Sequence, residues 1–272
     1  MSASLIRLLI SDIDGTLVRN DKSLSDGVVS AVRRVLGAGI PMSLISARPP
    51  CGMLWIAERL GLDGPIAAFN GGTVVMPDGR VVSEARLTPA IAAAALARIE
   101  RAGVTPWLFA DGKWYARDRD NPNIGRERLA TNLEPIFDAD FSTLLDHADK
   151  LVGVSDDYDL LASIEVETQA ALGEDATVAR SQLYYLDITG PFANKGAGVA
   201  ALAAAYDVPL SAVAVLGDQR NDLPMFARAG LSVAMGQAPE EVRAAASHVA
   251  LSNEEDGVAD AIDRFVLPAV AS

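Results

Sequence analysis

The chain has 272 residues, half of them hydrophobic and 22% charged, with 36 acidic against 23 basic side chains and a formal net charge of −13. That length fits one elaborate domain or two modest ones, and that composition excludes a disordered chain. The acidic surplus argues against nucleic acid or an anionic membrane as partner, and any anionic ligand needs a local cationic device.

One cysteine, Cys51, leaves no internal disulfide and suits a reducing compartment. The opening MSASLIRLLISDIDG lacks a long apolar core and a small-residue cleavage site, and no apolar run reaches about 18 uncharged residues. The expectation is a cytoplasmic, soluble chain, monomeric or homodimeric.

In chain order, LIRLLIS reads as a buried strand that runs into Asp12 and Asp14. SDGVVSAVRRVLGAG reads as a helix with Val28, Val29, Val32 and Leu36 on one face, ended by Gly37 and Gly39. IPMSLISA predicts a second strand, GMLWIAERLGL a second helix and GPIAAFNGG a third strand. TVVMPDGRVVSE predicts a hairpin about Pro77-Asp78-Gly79.

The middle, about residues 85–189, differs in character. It holds two of the three tryptophans and four of the five tyrosines. Helical TPAIAAAALARIERAG opens it. TPWLFADGKWYAR, KLVGVSD and ATVARSQLYYLDIT alternate in polarity, as in a sheet with one solvated face. The run ARDRDNPNIGRER reads as a solvated face. Then KGAGVAALAAAYDV predicts a helix, SAVAVLGD a strand, DLPMFARAG a short helix, LSVAMG and SHVALS two strands, and NEEDGVADAIDRFV a closing helix. Strands alternating with helices predict an α/β fold, a doubly wound, mostly parallel, Rossmann-like sheet covered on both faces. The predicted core comprises residues 1–84 and 190–272. An α+β domain, 85–189, is inserted through linkers near Ser83–Leu87 and Thr189–Ala193.

In doubly wound sheets, sites form beyond the carboxyl ends of the strands. That rim is predicted to collect Asp12 and Asp14, Ser46, Asn70-Gly71-Gly72, and Asp218, Asn221 and Asp222 of GDQRND, with Lys195 at the start of a late helix. Singly, each has a bland reading as a turn, cap or surface residue. Jointly, those bland readings must all coincide on one edge. Clustered carboxylates repel one another and favour a cation. Oxygen donors without Cys or His suit Mg²⁺, while a hydroxyl and an ammonium suit phosphate oxygens. One carboxylate can attack phosphorus while a neighbour moves a proton. DIDGT fails the spacing of an EF-hand loop, GPFANKGA fails that of a P-loop, no G-x-S-x-G occurs, and His147 and His248 make no zinc site.

D-x-D-G-T-L, Ser46, Lys195 and GDQRND, with NGG, SVAMGQA and SNEEDGVA, resemble the haloacid dehalogenase-like (HAD) superfamily and, within it, the Cof-type sugar phosphatases. The resemblance covers both flanks, and the insertion matches a large α/β cap in size and position only. It implies that Asp12 is the nucleophile of an aspartyl-phosphate route and Asp14 the general acid and base. It implies a metal site of Asp12, Asp14 (through its carbonyl), Asp218 and Asp222 holding Mg²⁺. Ser46, Lys195 and Asn221 would bind phosphate, with Asn221 also supporting the metal or its waters. The acid role requires an Asp14 environment that raises its pKa or supplies a proton. The family's T-G-R is here Ser46-Ala47-Arg48, which keeps the hydroxyl. Arg48 and Asn70-Gly71-Gly72 are expected near substrate. Trp114, Tyr115, Arg117, Arg119, Tyr184 and Tyr185 are the candidate contacts from the cap, against a strong alternative that they pack its own core. The implied activity is hydrolysis of a small phosphorylated metabolite, such as a sugar phosphate. The rival readings are a phosphomannomutase-like phosphotransferase and a non-catalytic phosphosugar-binding regulator.

Overall fold

A computed structural model describes residues 5–137 and 140–269. The chain begins with β1 (Leu8–Ser11), α1 (Asp26–Gly37), β2 (Met42–Leu44), α2 (Cys51–Leu60), β3 (Ile66–Ala68), β4 (Thr73–Val75) and β5 (Val81–Glu84). It continues with α3 (Pro89–Arg101), β6 (Thr105–Ala110), β7 (Lys113–Ala116), α4 (Ile124–Thr131), β8 (Ala148–Val154), α5 (Tyr158–Leu172), β9 (Thr177–Gln182) and β10 (Tyr185–Thr189). It returns through α6 (Lys195–Ala205), β11 (Val213–Gly217), α7 (Leu223–Phe226), β12 (Leu231–Ala234), α8 (Glu240–Ala245), β13 (His248–Val249) and α9 (Gly257–Ala261). No helix among the described residues is long and apolar enough to cross a membrane.

A parallel five-stranded sheet runs in the order β13-β12-β11-β1-β2. β1, paired on both sides by β11 and β2, is buried along its whole length, which explains why LLIS carries no charge. Leu8 and Ile10 pack on one side with Val199, Leu202 and Met225. Leu9 packs on the other with Val28, Val32, Ile56 and Ile262. The order reverses at β1 and β11, since one neighbour of β1 follows early in the chain and the other late. This is the topological switch point at which α/β sheets open a crevice.

The predicted third strand departs from expectation. β3 pairs antiparallel with β4, which pairs with β5 in a small separate sheet. It touches the parallel sheet through one bridge, Ile45 to Ala67. The hairpin at Pro77-Asp78-Gly79 closes as predicted, with Met76 N–H donating to Arg80 O.

The inserted strands form a second sheet, all antiparallel, in the order β7-β6-β8-β10-β9. ATVARSQLYYLDIT is two strands, not one, turning at Leu183-Tyr184 so that Tyr185 pairs with Gln182. Helices α4, α5 and α8 have no counterpart among the predicted elements. The expected solvated face is also corrected. Every residue of β8 and β10 is buried. Leu108, Leu151, Leu186 and Ile188 pack under α3 and α5. The alternate set, Trp107, Phe109, Trp114, Val152 and Tyr185, joins the same apolar cluster as α1 and α2. Phe109 meets Phe69 edge-on at 6.2 Å. The two-residue alternation was legible, but its second face meets the other sheet rather than water.

The two crossings between the sheets touch, since a Cβ on Gly190 would fall 2.3 Å from Ala85 O. The turn after β3 is equally tight. Gly71 has φ +101°, and a Cβ there would fall 2.7 Å from Gly198 Cα in α6. Gly71→Ala is therefore expected to cost about 2–4 kcal/mol, combining strain with a backbone clash. A urea midpoint unchanged from wild type would contradict this packing.

Candidate active site

Ser11 of β1 stands opposite Leu216 of β11 in parallel register, so the chain leaves both strands side by side. One residue past β1, Asp12 donates its N–H to Leu216 O at 2.9 Å. One residue past β11 comes Asp218. The next turn folds Asp222 back, and its Oδ2 accepts from the N–H groups of Asp218 and Gln219, both at 2.8 Å. Thr16 Oγ1 donates to Asp218 Oδ1 at 3.0 Å. Gly15 makes the turn between them with φ +78°, and a Cβ there would fall 2.4 Å from Asp218 Oδ2. Only glycine fits.

Lys195 opens α6, whose N-terminus Asn194 caps by accepting from Ala197 N–H. A lysine there opposes the helix dipole. The reason is electrostatic: its Nζ lies 2.7 Å from Asp12 Oδ1 and 2.6 Å from Asp222 Oδ1, at 1% exposure. Burial alone would lower its pKa, but the two carboxylates outweigh burial and raise it.

Asp14 is held separately. Arg48 donates to both its oxygens, Nε at 2.7 Å and Nη2 at 2.8 Å, and Lys22 Nζ adds a bond at 2.6 Å. Arg48 Nη1 also donates to Gly52 O at 3.0 Å. Burial would raise the Asp14 pKa, yet Arg48 and Lys22 hold the carboxyl below the usual carboxylate range. The acid role called for a raised pKa or a local supply of a proton, and the first of these is not met. Arg48, expected near substrate, lines the same cavity and spends these donors on Asp14 and Gly52 O.

Ser46 is buried and its Oγ accepts from Arg48 N–H at 3.2 Å. Asn70, itself at φ +58°, donates its N–H to Ser46 O at 2.7 Å and accepts from Asn221 Nδ2 at 3.4 Å. Asn221 Oδ1 is buried and lacks a partner. Asp12, Asp14, Ser46, Lys195 and Asn221 all line one cavity of about 50 Å³. Asn70, Gly71 and Gly72 do not. Asn70 supports Asn221 from behind, and the two glycines pack on α6 and Ala193.

Asp12, Asp218 and Asp222 bring carboxylate oxygens within 4.8 Å of one another. Asp222 spends its oxygens on Lys195 and two amides, which leaves Asp12 and Asp218 as the principal donors. Burial raises Asp12 well above its ordinary value, against Lys195 and with Asp222 and Asp218 adding to it. Burial and Asp222 push Asp218 up to about 7. Uncompensated negative charge of this kind, on oxygen donors alone, fits a hard divalent cation.

The opposite wall comes from the inserted unit, through Arg126, Glu127 and Ala130 of the α4 region, Lys150 of β8, and Ser181, Gln182, Tyr184 and Tyr185 of the β9–β10 hairpin. Of the aromatic and arginine candidates, Tyr184 and Tyr185 line the cavity. Tyr115 is buried in the unit's own core, and Trp114 in the apolar cluster shared with α1 and α2. Arg117 pairs with Glu100 and lies over Phe141, and Arg119 lies over Phe137. Sequence reasoning missed Lys22, Arg126, Glu127 and Lys150. The available signal was Lys150, a lone cation inside the apolar stretch KLVGV. Glu127 was hidden in the run read as solvated.

The chain matches the haloacid dehalogenase-like hydrolase family over residues 9–262. Phosphatase YwpJ of Bacillus subtilis is 26% identical, across 93% of this chain and 98% of its own. The HMP-PP phosphatase of Cronobacter sakazakii is 25% identical, across 90% and 89%. A haloacid dehalogenase-like hydrolase from Bacteroides thetaiotaomicron superposes with a TM-score of 0.83 at 27% identity, covering 96% of this chain and 99% of that one. The chain belongs to the haloacid dehalogenase-like hydrolases. Within that family it is a phosphatase, a phosphoric monoester hydrolase with the Cof-type arrangement of an α/β core and an inserted cap.

The raised Asp218 carboxyl means that the folded, metal-free protein holds a proton that an unfolded Asp releases near pH ~3.9. Stability must then fall as pH rises from about 4 to 7. Asp12 acts in the same direction, while the benefit from the depressed Asp14 is complete by pH ~5. Thermal midpoints in EDTA are expected to be higher at pH 5 than at pH 7.5, and the opposite order would refute the charge balance of this site.

Proposed function

We propose that the protein is a Mg²⁺-dependent phosphatase of a small phosphorylated metabolite, a sugar phosphate, working through an aspartyl-phosphate on Asp12. The observation that carries this reading is Lys195, a fully buried ammonium shared by Asp12 and Asp222 beside Asp218 at the floor of a cavity. It holds one oxygen of Asp12 in place and supplies the positive charge that a phosphoryl group needs in an acidic protein.

In this reading the core is residues 1–84 with 190–272, and residues 85–189 act as the cap over the site. Ser46, Lys195 and Asn221 hold phosphoryl oxygens. Asn221 Oδ1, buried and unpaired, accepts from a water or a protonated phosphate oxygen. An Asp12 oxygen bonds to phosphorus as the ester P–O bond breaks, and the leaving alkoxide takes a proton from Asp14. Asp14 then removes a proton from water, the water oxygen bonds to phosphorus, and the Asp12–phosphorus bond breaks to release inorganic phosphate. Ionised Asp14, as Arg48 and Lys22 hold it, is ready for this second step. Entry of a phosphate dianion raises its proton affinity and competes for those two cations, which prepares the first step. Mg²⁺, held by Asp12, Asp218 and the Asp14 carbonyl with Asp222 in support, supplies charge neutralisation at the phosphoryl oxygens.

Two outcomes are expected. Asp12→Asn lowers phosphate release from glucose 6-phosphate by at least about 10³-fold in the presence of Mg²⁺, and full retained activity would eliminate the nucleophile role. Adding Mg²⁺ raises the thermal midpoint more at pH 8 than at pH 5, because the ion and the protons on Asp12 and Asp218 compete for the same oxygens. Equal shifts at both pH values would separate the ion from these carboxylates.

A further inference from the structure

Two segments of the core have no part in the reaction described so far, SVAMGQA (232–238) and SNEEDGVA (252–259). Both converge on the loop that follows β1. Gly236 N–H donates to Leu251 O at 3.0 Å, which joins the two segments. Gln237 Nε2 donates to Gly15 O at 2.6 Å, and Gln237 Oε1 accepts from Asn253 N–H at 3.1 Å. Asn253 Nδ2 reaches on to Val18 O at 3.0 Å and to Asn20 Oδ1 at 3.3 Å. Asn20 N–H donates to Glu254 Oε1 at 2.7 Å, and Arg19 pairs with Asp256 at 3.1 Å. One end of the chain is thus clamped by the other.

The clamped loop carries Asp14 and one of its two cations. Thr16 N–H donates to Ile13 O across a turn in which Asp14 precedes Gly15, so Gln237 holds the carbonyl next to Asp14. Farther on, Arg19 N–H donates to Ser23 O and Lys22 N–H to Arg19 O, a second turn that leaves Lys22 at φ +68°. A lysine in the left-handed region is strained and persists only where its surroundings over-determine it. Its ammonium returns to Asp14 Oδ1 at 2.6 Å. Asn253, 4% exposed, is the buried amide that fixes the loop between these two turns. Asp12 is held differently, by β11 through Leu216 O and by Lys195.

We infer that Gln237 and Asn253 are positioning residues for proton transfer by Asp14, acting through the 15–22 loop and Lys22. This rests on the phosphatase reading above and deepens it. With the loop's backbone fixed, the Lys22 ammonium can turn from Asp14 to an incoming phosphate oxygen without drawing the loop after it. Asp14 then stays in place to give its proton to the departing oxygen. Because Asp12 is held elsewhere, loosening the clamp slows the departure of a leaving group that needs this proton and spares one that does not.

The test compares benzyl phosphate, which leaves as an alkoxide and needs the proton, with p-nitrophenyl phosphate, whose phenolate leaves without it, in saturating Mg²⁺. The kcat/KM value covers steps up to departure of the leaving group, so the later attack of water does not enter. Gln237 is exposed, and Gln237→Ala is expected to fold. It is expected to lower kcat/KM about 10-fold for benzyl phosphate and less than about 3-fold for p-nitrophenyl phosphate. Asn253→Ala is expected to show the same selectivity at about 10- to 100-fold. Lys22→Met is expected to reproduce it and to add little to Gln237→Ala, as for residues acting through one another. Parallel loss of both activities in Gln237→Ala, or full retention of both, overturns the inference and leaves the phosphatase reading standing. Recovery of the lost activity at higher Mg²⁺ also overturns it, because the clamp then serves the ion. Wild type that cleaves p-nitrophenyl phosphate and not benzyl phosphate has no protonated departure to support, which overturns the inference alone. Release of phosphate from neither probe overturns the phosphatase reading and the inference together.

Discussion

The rest of the site depends on one buried ammonium. Lys195 stands between Asp12 and Asp222 at 2.7 and 2.6 Å, and without it three carboxylates would share a pocket almost closed to water. Breaking a buried pair of this kind by removing one partner typically costs about 3–5 kcal/mol, because a charge is left unpaired. The arrangement also sets direction. Asp222 ties Lys195 to the turn after β11, so the lysine reports the position of that turn to Asp12 at the end of β1. Two neighbouring strands are joined at their tips by a charge as well as by their ladder.

The second pair of cations has a different use. Arg48 and Lys22 hold Asp14 from the side and keep its charge apart from the Asp12–Asp218–Asp222 cluster. Two carboxylates separated by one residue thus live in opposite environments, one raised by burial and one lowered by salt bridges. The order is the reverse of that required by an ionised nucleophile at Asp12 and a protonated acid at Asp14, and a cation on the Asp12 carboxylate would correct the first half of it. The inserted unit walls the same cavity through Lys150, which donates to Ala47 O, and through α4, and charge interactions gain strength wherever such walls reduce contact with water.

Much of this was legible before any coordinates. The parallel core follows from uncharged strands and capped helices, and the rim residues follow from where those strands end. Asp12, Asp14, Ser46, Lys195, Asn221, Asp218 and Asp222 all arrive at one place, as strand topology requires. The insertion was less legible for a physical reason. Alternating polarity shows that a sheet has two unlike faces and is silent on what covers the polar one. β8 and β10 look half-solvated in sequence and are buried on both sides in the fold. Likewise α4 has Ile124 as its one buried large apolar side chain, so its periodicity is weak, and its buried Glu127 resembles any surface acid.

The amino-acid order by itself determined the class of fold, the rim on which chemistry collects, and the residue types assembled there, because these depend on local pattern and on the right-handed connections of a parallel sheet. Tertiary structure alone decided the pairings: Lys195 with Asp12 and Asp222, Arg48 with Asp14, and Glu127 turned inward to the cavity. Such pairings join residues 27 to 183 positions apart in the chain. Their energies depend on burial and distance, quantities that exist only once the two sheets have closed on each other.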